Sequence, residues 1–324
     1  MTRILLALFL VPIMVSSLLA VESGPSVVVS IKPLHSLVAG VMQGAGEPQL
    51  LVKGGGSPHG YTLRPSEALA LADAQLIVLV GAELEGFMQK PLATLASNVR
   101  QLALAEEMAP LLLPTREGGS WERHLQHHVE IRDETHPKDH GHHEEAVKHP
   151  HESEELDQHL WLSPLLAKQV VTLVRDALSD MDPGRKDLYA RNATRILQQL
   201  DLLHTELQAR LAPVKDVPYI VFHDAYQYFE AAYGLNAVGS ITVDPERRPG
   251  VRRVREIREK INRLGARCLF SEPQFESSLV ATIIEGSGTK TAILDPLGAD
   301  LPQGPEAYFH LLKNLAENLR NGLE

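Results

Sequence analysis

The chain has 324 residues, 44% of them hydrophobic and 22% charged, enough apolar material for one large core or two of ordinary size. Its formal charge of −10 argues against general nucleic-acid binding, which needs a basic surface to neutralise phosphate, and suits a protein that attracts cations. Only 5% of the residues are aromatic, so packing by Leu, Ile, Val and Ala is expected.

The chain opens "MTRILLALFLVPIMVSSLLAVES". Arg3 precedes an apolar run from Ile4 to Ala20 that is short for a membrane span and is interrupted by Pro12, the pattern of a cleavable signal peptide. Cleavage near Ala20 and export of the remainder are expected. No cysteine follows the run, so a lipid anchor at that point is not expected. The sole cysteine, Cys268 in "ARCLFSEP", allows no intramolecular disulfide and reads as a buried, unreactive thiol.

Five short apolar runs predict buried strands: "SVVVSI" (26–31), "AQLIVLVG" (74–81), "PYIVFHD" (218–224), "RCLFSEP" (267–273) and "TAILDP" (291–296). They lack polar alternation, as strands covered on both faces do. Helical patterns at 64–74 and 251–265 lie between them, which predicts α/β layers with mainly parallel sheets. A longer pattern follows Asp182, a good N-cap, and Pro183, which fits the first helical position; it runs until Pro213 stops it. That helix, over 182–212, is expected to be a stiff connector roughly 40 Å long. It divides the chain into an N-terminal lobe at 26–181 and a C-terminal lobe at 213–324. A last helix is expected at about 306–322.

Residues 115–156 differ in kind. The stretch "HLQHHVEIRDETHPKDHGHHEEAVKHPHE" (124–152) carries nine of the chain's fifteen histidines and almost no large apolar side chain. Low complexity without a sustained period predicts a mobile loop. Any ion it takes must offset the entropy of ordering the chain, so binding weaker than at a preformed site is expected.

Three histidines and one aspartate stand where a strand or loop gives way to the next element: His59 in "KGGGSPHGYTLRPSE", His159 in "LDQHLWLSP", His223 in "YIVFHD" and Asp295 in "TAILDP". In open α/β sheets ligands collect outside the carboxyl ends of strands, so these four could converge on a cleft. Three imidazoles plus a carboxylate or water would complete a tetrahedral zinc shell, whereas manganese favours more oxygen. Their wide spacing matches no local zinc motif. Each histidine has the alternative reading of a capping or core-satisfying residue, and Asp295 that of an ordinary turn residue. His35, His204 and His310 lie in or beside helical stretches and read as structural.

The motifs "SPHGYTLRPSE", "VGAELEGFMQK", "HLWLSP", "VFHDAYQYFEAAYGL", "VDPERRPG", "LFSEPQF" and "LDPLGA" occur in this order. Together they resemble the periplasmic zinc-binding proteins of zinc-uptake ABC transporters, the ZnuA type of the metal-specific substrate-binding family, over nearly all of the mature chain. The resemblance implies two α/β lobes bridged by one long helix, with Zn2+ held in the cleft between them. It implies His59, His159 and His223 as ligands and Asp295 at the position that supplies a carboxylate in manganese-binding members. Where those members have a Glu, this chain has His223, which favours zinc. The acidic, His-rich insertion before "HLWLSP" is a feature of the zinc members; its clustered His and carboxylates can take extra zinc weakly, the alternative being a solvated loop with no necessary function.

Two features depart from the family pattern. Pro58 stands where some members carry a Glu before the first ligand. With no second cysteine, a disulfide that ties the C-terminal end to the strand of Cys268 in some members is absent. The implied role is that of a monomeric periplasmic protein, not an enzyme, that delivers zinc to an inner-membrane ABC permease. The alternatives are a manganese-specific protein of the same class, an adhesin or a secreted zinc hydrolase. Against the last, the chain has no HExxH, HxxEH or G-x-S-x-G motif.

Overall fold

The computed structural model describes residues 24–95, 99–116, 121, 155–242, 251–274 and 277–324. The predicted leader over 1–20, the His-rich stretch 124–152 and the motif at 243–250 lie outside the described residues. The first half contains β1 (Val27–Val29), α1 (Lys32–Met42), β2 (Gln49–Leu50), α2 (Pro65–Ala72), β3 (Leu76–Leu79), α3 (Gln89–Thr94), β4 (Arg100–Ala103) and α4 (Leu104–Glu107). Two long helices follow, α5 (Pro164–Met181) and α6 (Lys186–Leu211). The second half contains β5 (Tyr219–His223), α7 (Gln227–Tyr233), β6 (Ala237–Thr242), α8 (Val251–Leu264), β7 (Cys268–Ser271), α9 (Ser277–Ile284), β8 (Lys290–Ile293) and α10 (Ala307–Leu323).

The strands form two four-stranded parallel sheets, ordered β2-β1-β3-β4 and β6-β5-β7-β8. The run at 291–296, expected to be buried, instead supplies edge strand β8, most of whose residues are exposed. The central strands of each sheet are covered on both faces, and alternate residues of one strand feed different cores. In β1, Val27 and Val29 enter the large central core while Val28 packs in a satellite under α2 and α3. In β5, Tyr219 and Val221 enter the same central core while Ile220 and Phe222 pack beneath α8 and α9.

One central core therefore runs through both halves, and α1, α5, α6 and α10 fill it. The buried face of α6, Tyr189, Ala193, Ile196, Leu200, Leu203, Leu207 and Leu211, keeps the three- and four-residue spacing of a helix stripe. The predicted long helix differs at its start. Pro183–Arg185 forms a separate 3-10 turn, and α6 begins at Lys186. The Asp182 carboxylate, expected as the cap, instead accepts from Arg185 Nη1 at 2.7 Å and Tyr189 Oη at 2.9 Å. No described helix is long and apolar enough to cross a membrane.

Helix α10 holds by packing and ion pairs. Its buried residues run from Ala307 to Leu323, and Gly322 lets it approach β7 so closely that a Cβ there would lie 2.7 Å from the Phe270 ring. Cys268 is buried, and burial pushes its thiol up to about 12, as an inert core cysteine requires.

Glu85, in the loop after β3, is fully buried. Its Oε2 accepts from the Gly81 amide at 3.0 Å, and its Oε1 has no hydrogen-bond partner among the described residues. Burial pushes this carboxyl from 4.5 up to about 7, against the pull of neighbouring donors. The folded chain thus keeps a proton that the unfolded chain releases, so stability falls as pH rises across that window. Glu85→Gln is expected to abolish this loss. Denaturant unfolding at pH 5 and pH 8 should show wild type losing on the order of 3 kcal/mol more than the variant. Equal losses in both would contradict the assignment.

Candidate metal centre

The carboxyl ends of the two sheets supply the site. His223 is the last residue of β5, whose neighbours β6 and β7 diverge in chain order, so it stands at the topological switch point of its sheet. His159 immediately precedes the 3-10 turn Leu160–Leu162, after which the Ser163 side chain caps α5 by accepting from the Leu166 amide. His59 lies on the Gly-rich loop between β2 and α2. That loop is fixed to the start of α2 by Glu67, which accepts from the Tyr61 hydroxyl and the Arg64 amide, each at 2.9 Å.

These three histidines converge. Their ring centroids are 4.9 to 5.7 Å apart, and one ligand nitrogen from each lies within 4.8 Å of the other two. His159 and His223 are buried, and His59 is the most open. A tetrahedral zinc shell with Zn–N of about 2.0–2.1 Å sets its nitrogens about 3.3–3.4 Å apart, so a small inward movement completes the geometry. One side of the trio faces a cavity of 340 Å³ whose wall includes Glu83, Asp157 and Asp224. The other side is walled by Pro58, Trp161, Pro296 and Leu297. Among the described residues, the larger cavity beside the trio is the one that carries Glu83, Asp157 and Asp224 on its wall.

Carboxylates also back two of the imidazoles. Asp157 Oδ1 accepts from both the His159 amide at 3.0 Å and His159 Nδ1 at 2.8 Å. A neutral His159 then carries its proton on Nδ1 and offers Nε2 to a metal. Glu272 Oε1 lies 3.5 Å from His223 Nδ1, long for a hydrogen bond but close enough to orient the ring. Burial pushes the Glu272 carboxyl well above its usual range, with the nearby His159 opposing it.

Asp295 is not part of the group held within 4.8 Å. Its Oδ1 accepts from the Leu297 amide at 3.0 Å, the Gly298 amide at 2.9 Å and Gln274 Nε2 at 3.1 Å, and its Oδ2 from the Ala299 amide at 2.5 Å. In this arrangement it organises the loop after β8. Lys32 clamps the same loop from α1, donating to the carbonyls of Gly298, Ala299 and Leu301. The histidines read as structural stand elsewhere: His35 meets the Pro48 carbonyl at 2.9 Å, His204 meets Tyr233 Oη at 3.3 Å and His310 is exposed.

Sequence reasoning missed Asp157 and Glu272. The available signals were an acidic residue two positions before His159 and a Glu at the carboxyl end of the strand run "CLFS".

A family model, zinc-uptake complex component A periplasmic (ZnuA), matches residues 27–322. The chain is 44% identical over 318 residues to the high-affinity zinc uptake system protein ZnuA of Brucella abortus (strain 2308), covering 92% of this chain and 91% of that protein. It is 35% identical over 297 residues to the protein of the same name from Yersinia pestis, covering 90% and 89%. Among solved structures, one described as the crystal structure of ZnuA superposes with a TM-score of 0.73 at 24% identity, covering 93% of this chain and 100% of the other, a likeness of fold. The match of nearly the whole folded chain, together with the two Brucella and Yersinia relatives, places this chain in the zinc-uptake complex component A family of periplasmic proteins.

Proposed function

We propose that the chain captures Zn2+ in the periplasm through His59, His159 and His223 and delivers it to an inner-membrane ABC permease of a zinc-uptake system. The observation that carries this reading is the convergence of three imidazoles from distant parts of the chain on one open-sided cavity. The chain is a substrate-binding transport component and not an enzyme, and zinc is its cargo. An all-nitrogen trio with a fourth position left to water or a carboxylate suits zinc better than manganese, which seeks more oxygen. Asp295 lies outside the group of atoms within 4.8 Å and is held by the 297–299 amides, so water is the simpler fourth ligand.

In the same reading, residues 1–20 are a cleaved leader and the mature chain acts as a monomer. Residues 26–181 and 213–324 work as two lobes bridged by 182–212. The shared central core supports small relative movement of these lobes, so release depends on local rearrangement at the permease. The His-rich stretch takes further zinc weakly and raises the local supply.

Competition titration of mature apo protein should show one tight zinc site and manganese binding weaker by orders of magnitude. Comparable manganese affinity would overturn the zinc reading. His223→Ala should lower zinc affinity by more than about 100-fold, beyond the 10–100-fold typical of losing a supporting group. Because the ligands must be deprotonated, affinity should fall steeply as pH drops below about 6.5.

Asp157→Asn removes the acceptor charge behind His159 while keeping its shape. Zinc affinity is expected to drop about 10–100-fold with the trio intact, measured with a chromophoric chelator. An unchanged affinity would show that Asp157 only shapes the backbone.

A further inference from the structure

Arg116 joins the two halves of the molecule beside the proposed centre. Its Nε donates to Asp224 Oδ2 at 3.2 Å, its Nη2 to Asp224 Oδ1 and its Nη1 to Glu230 Oε2 at 2.6 Å. The guanidinium carbon lies 3.6 Å from the centroid of the Trp121 ring. This is a fork held in one orientation by two acceptors and a stacking face, an arrangement lysine cannot reproduce. Glu230 is buried and the Asp224 side chain is only 12% exposed, so solvent screens these bonds weakly.

Arg116 belongs to a clasp made by the two segments that flank residues 117–154. Pro114 and Leu156 pair as an antiparallel bridge, the Thr115 amide donates to the Glu155 carbonyl at 2.8 Å, and the Asp157 amide donates to the Leu113 carbonyl at 2.9 Å. The clasp is seated on α7: the Tyr228 hydroxyl donates to the Asp157 carbonyl at 2.6 Å and accepts from the Leu113 amide at 3.0 Å. Gln227 Nε2 donates to the Pro114 carbonyl at 3.3 Å. One end of this assembly carries Asp157, which orients His159. The other holds Asp224, which directly follows His223 in the chain.

We infer that Arg116 is a positioning residue of the metal centre. Through its fork to Asp224 and Glu230, the clasp sets the separation of His159 and His223 and thereby how long zinc is retained. The inference rests on the reading of the three histidines as the zinc site. It predicts an effect on metal geometry and release that a support of the fold alone would not produce.

The test uses the full mature chain with Arg116→Lys, which keeps the charge and loses the fork, and Asp224→Asn, which keeps the shape and loses the acceptor charge. Zinc release into excess chelator is followed by stopped flow. The absorption of the Co2+-loaded protein reports ligand geometry, and unfolding of the apo protein reports the fold. Each variant is expected to release zinc about tenfold faster or more and to alter the Co2+ bands. The double variant should release zinc no faster than the more affected single one, as groups acting as a unit do. Wild-type release rates and Co2+ spectra in a folded Asp224→Asn protein would overturn the inference, whether or not Arg116→Lys folds. His159→Ala separates the two levels. If it loses zinc while the Arg116 and Asp224 variants behave as wild type, this inference alone fails. If it binds zinc as wild type does, the reading of the site fails and the inference with it.

Discussion

Three imidazoles that begin on separate stretches of chain must be held at nearly bonding distance before any ion arrives, and the seam between the two sheets does this. Trp161, next but one to His159, donates its indole N–H to the Pro296 carbonyl at 2.8 Å, and the Tyr308 hydroxyl donates to the Trp161 carbonyl at 2.8 Å. Ser36 Oγ on α1 donates to the Pro305 carbonyl and accepts from the Tyr308 amide, each at 2.9 Å. With the Lys32 clamp, these bonds tie the first half of the chain to the loops that follow β8. Buried polar bonds of this kind are costly to break because their partners would be left unsatisfied. The walls behind the histidines are accordingly stiff, and the open side faces the cavity.

The chemistry of the site follows from what surrounds the nitrogens. Asp157 accepts from the His159 ring and the buried Glu272 carboxyl lies behind His223, so both rings are oriented without a carboxylate occupying the ion's own shell. Carboxylates along the cavity wall attract a cation towards a trio that offers only nitrogen. Preorganisation lowers the entropy lost on binding, while the remaining inward movement and the exposure of His59 leave a route for release.

Much of the architecture was legible in the chain. The runs at 26–31, 74–81, 218–224 and 267–273 each became a central strand, because a strand buried on both faces must be apolar throughout. The strands that escaped notice lie at sheet edges: β2 has two residues, β4 reads "RQLA" and β6 contains Gly239, so none carries a sustained apolar signal. Helix α1 is buried almost all round and lacks the polar face that makes a helix readable. The three histidines were legible as residues at element ends, and their ordered motifs singled them out. Asp157, Glu272 and Arg116 were not, because their roles exist only once distant segments meet. Asp295 had two readings in the sequence, turn residue and ligand; its bonds to the 297–299 amides show it serving the turn, a role that does not exclude the other.

Capture turns on one zinc ion being held by three imidazoles from both halves of the chain. Zinc K-edge X-ray absorption on mature protein loaded with one equivalent of zinc tests it most directly. The expected result is a four-coordinate shell of light atoms at about 2.0–2.1 Å, with multiple scattering from three imidazoles that is lost or reduced in His159→Ala. An oxygen-dominated six-coordinate shell, or an imidazole count unchanged by that substitution, would contradict it.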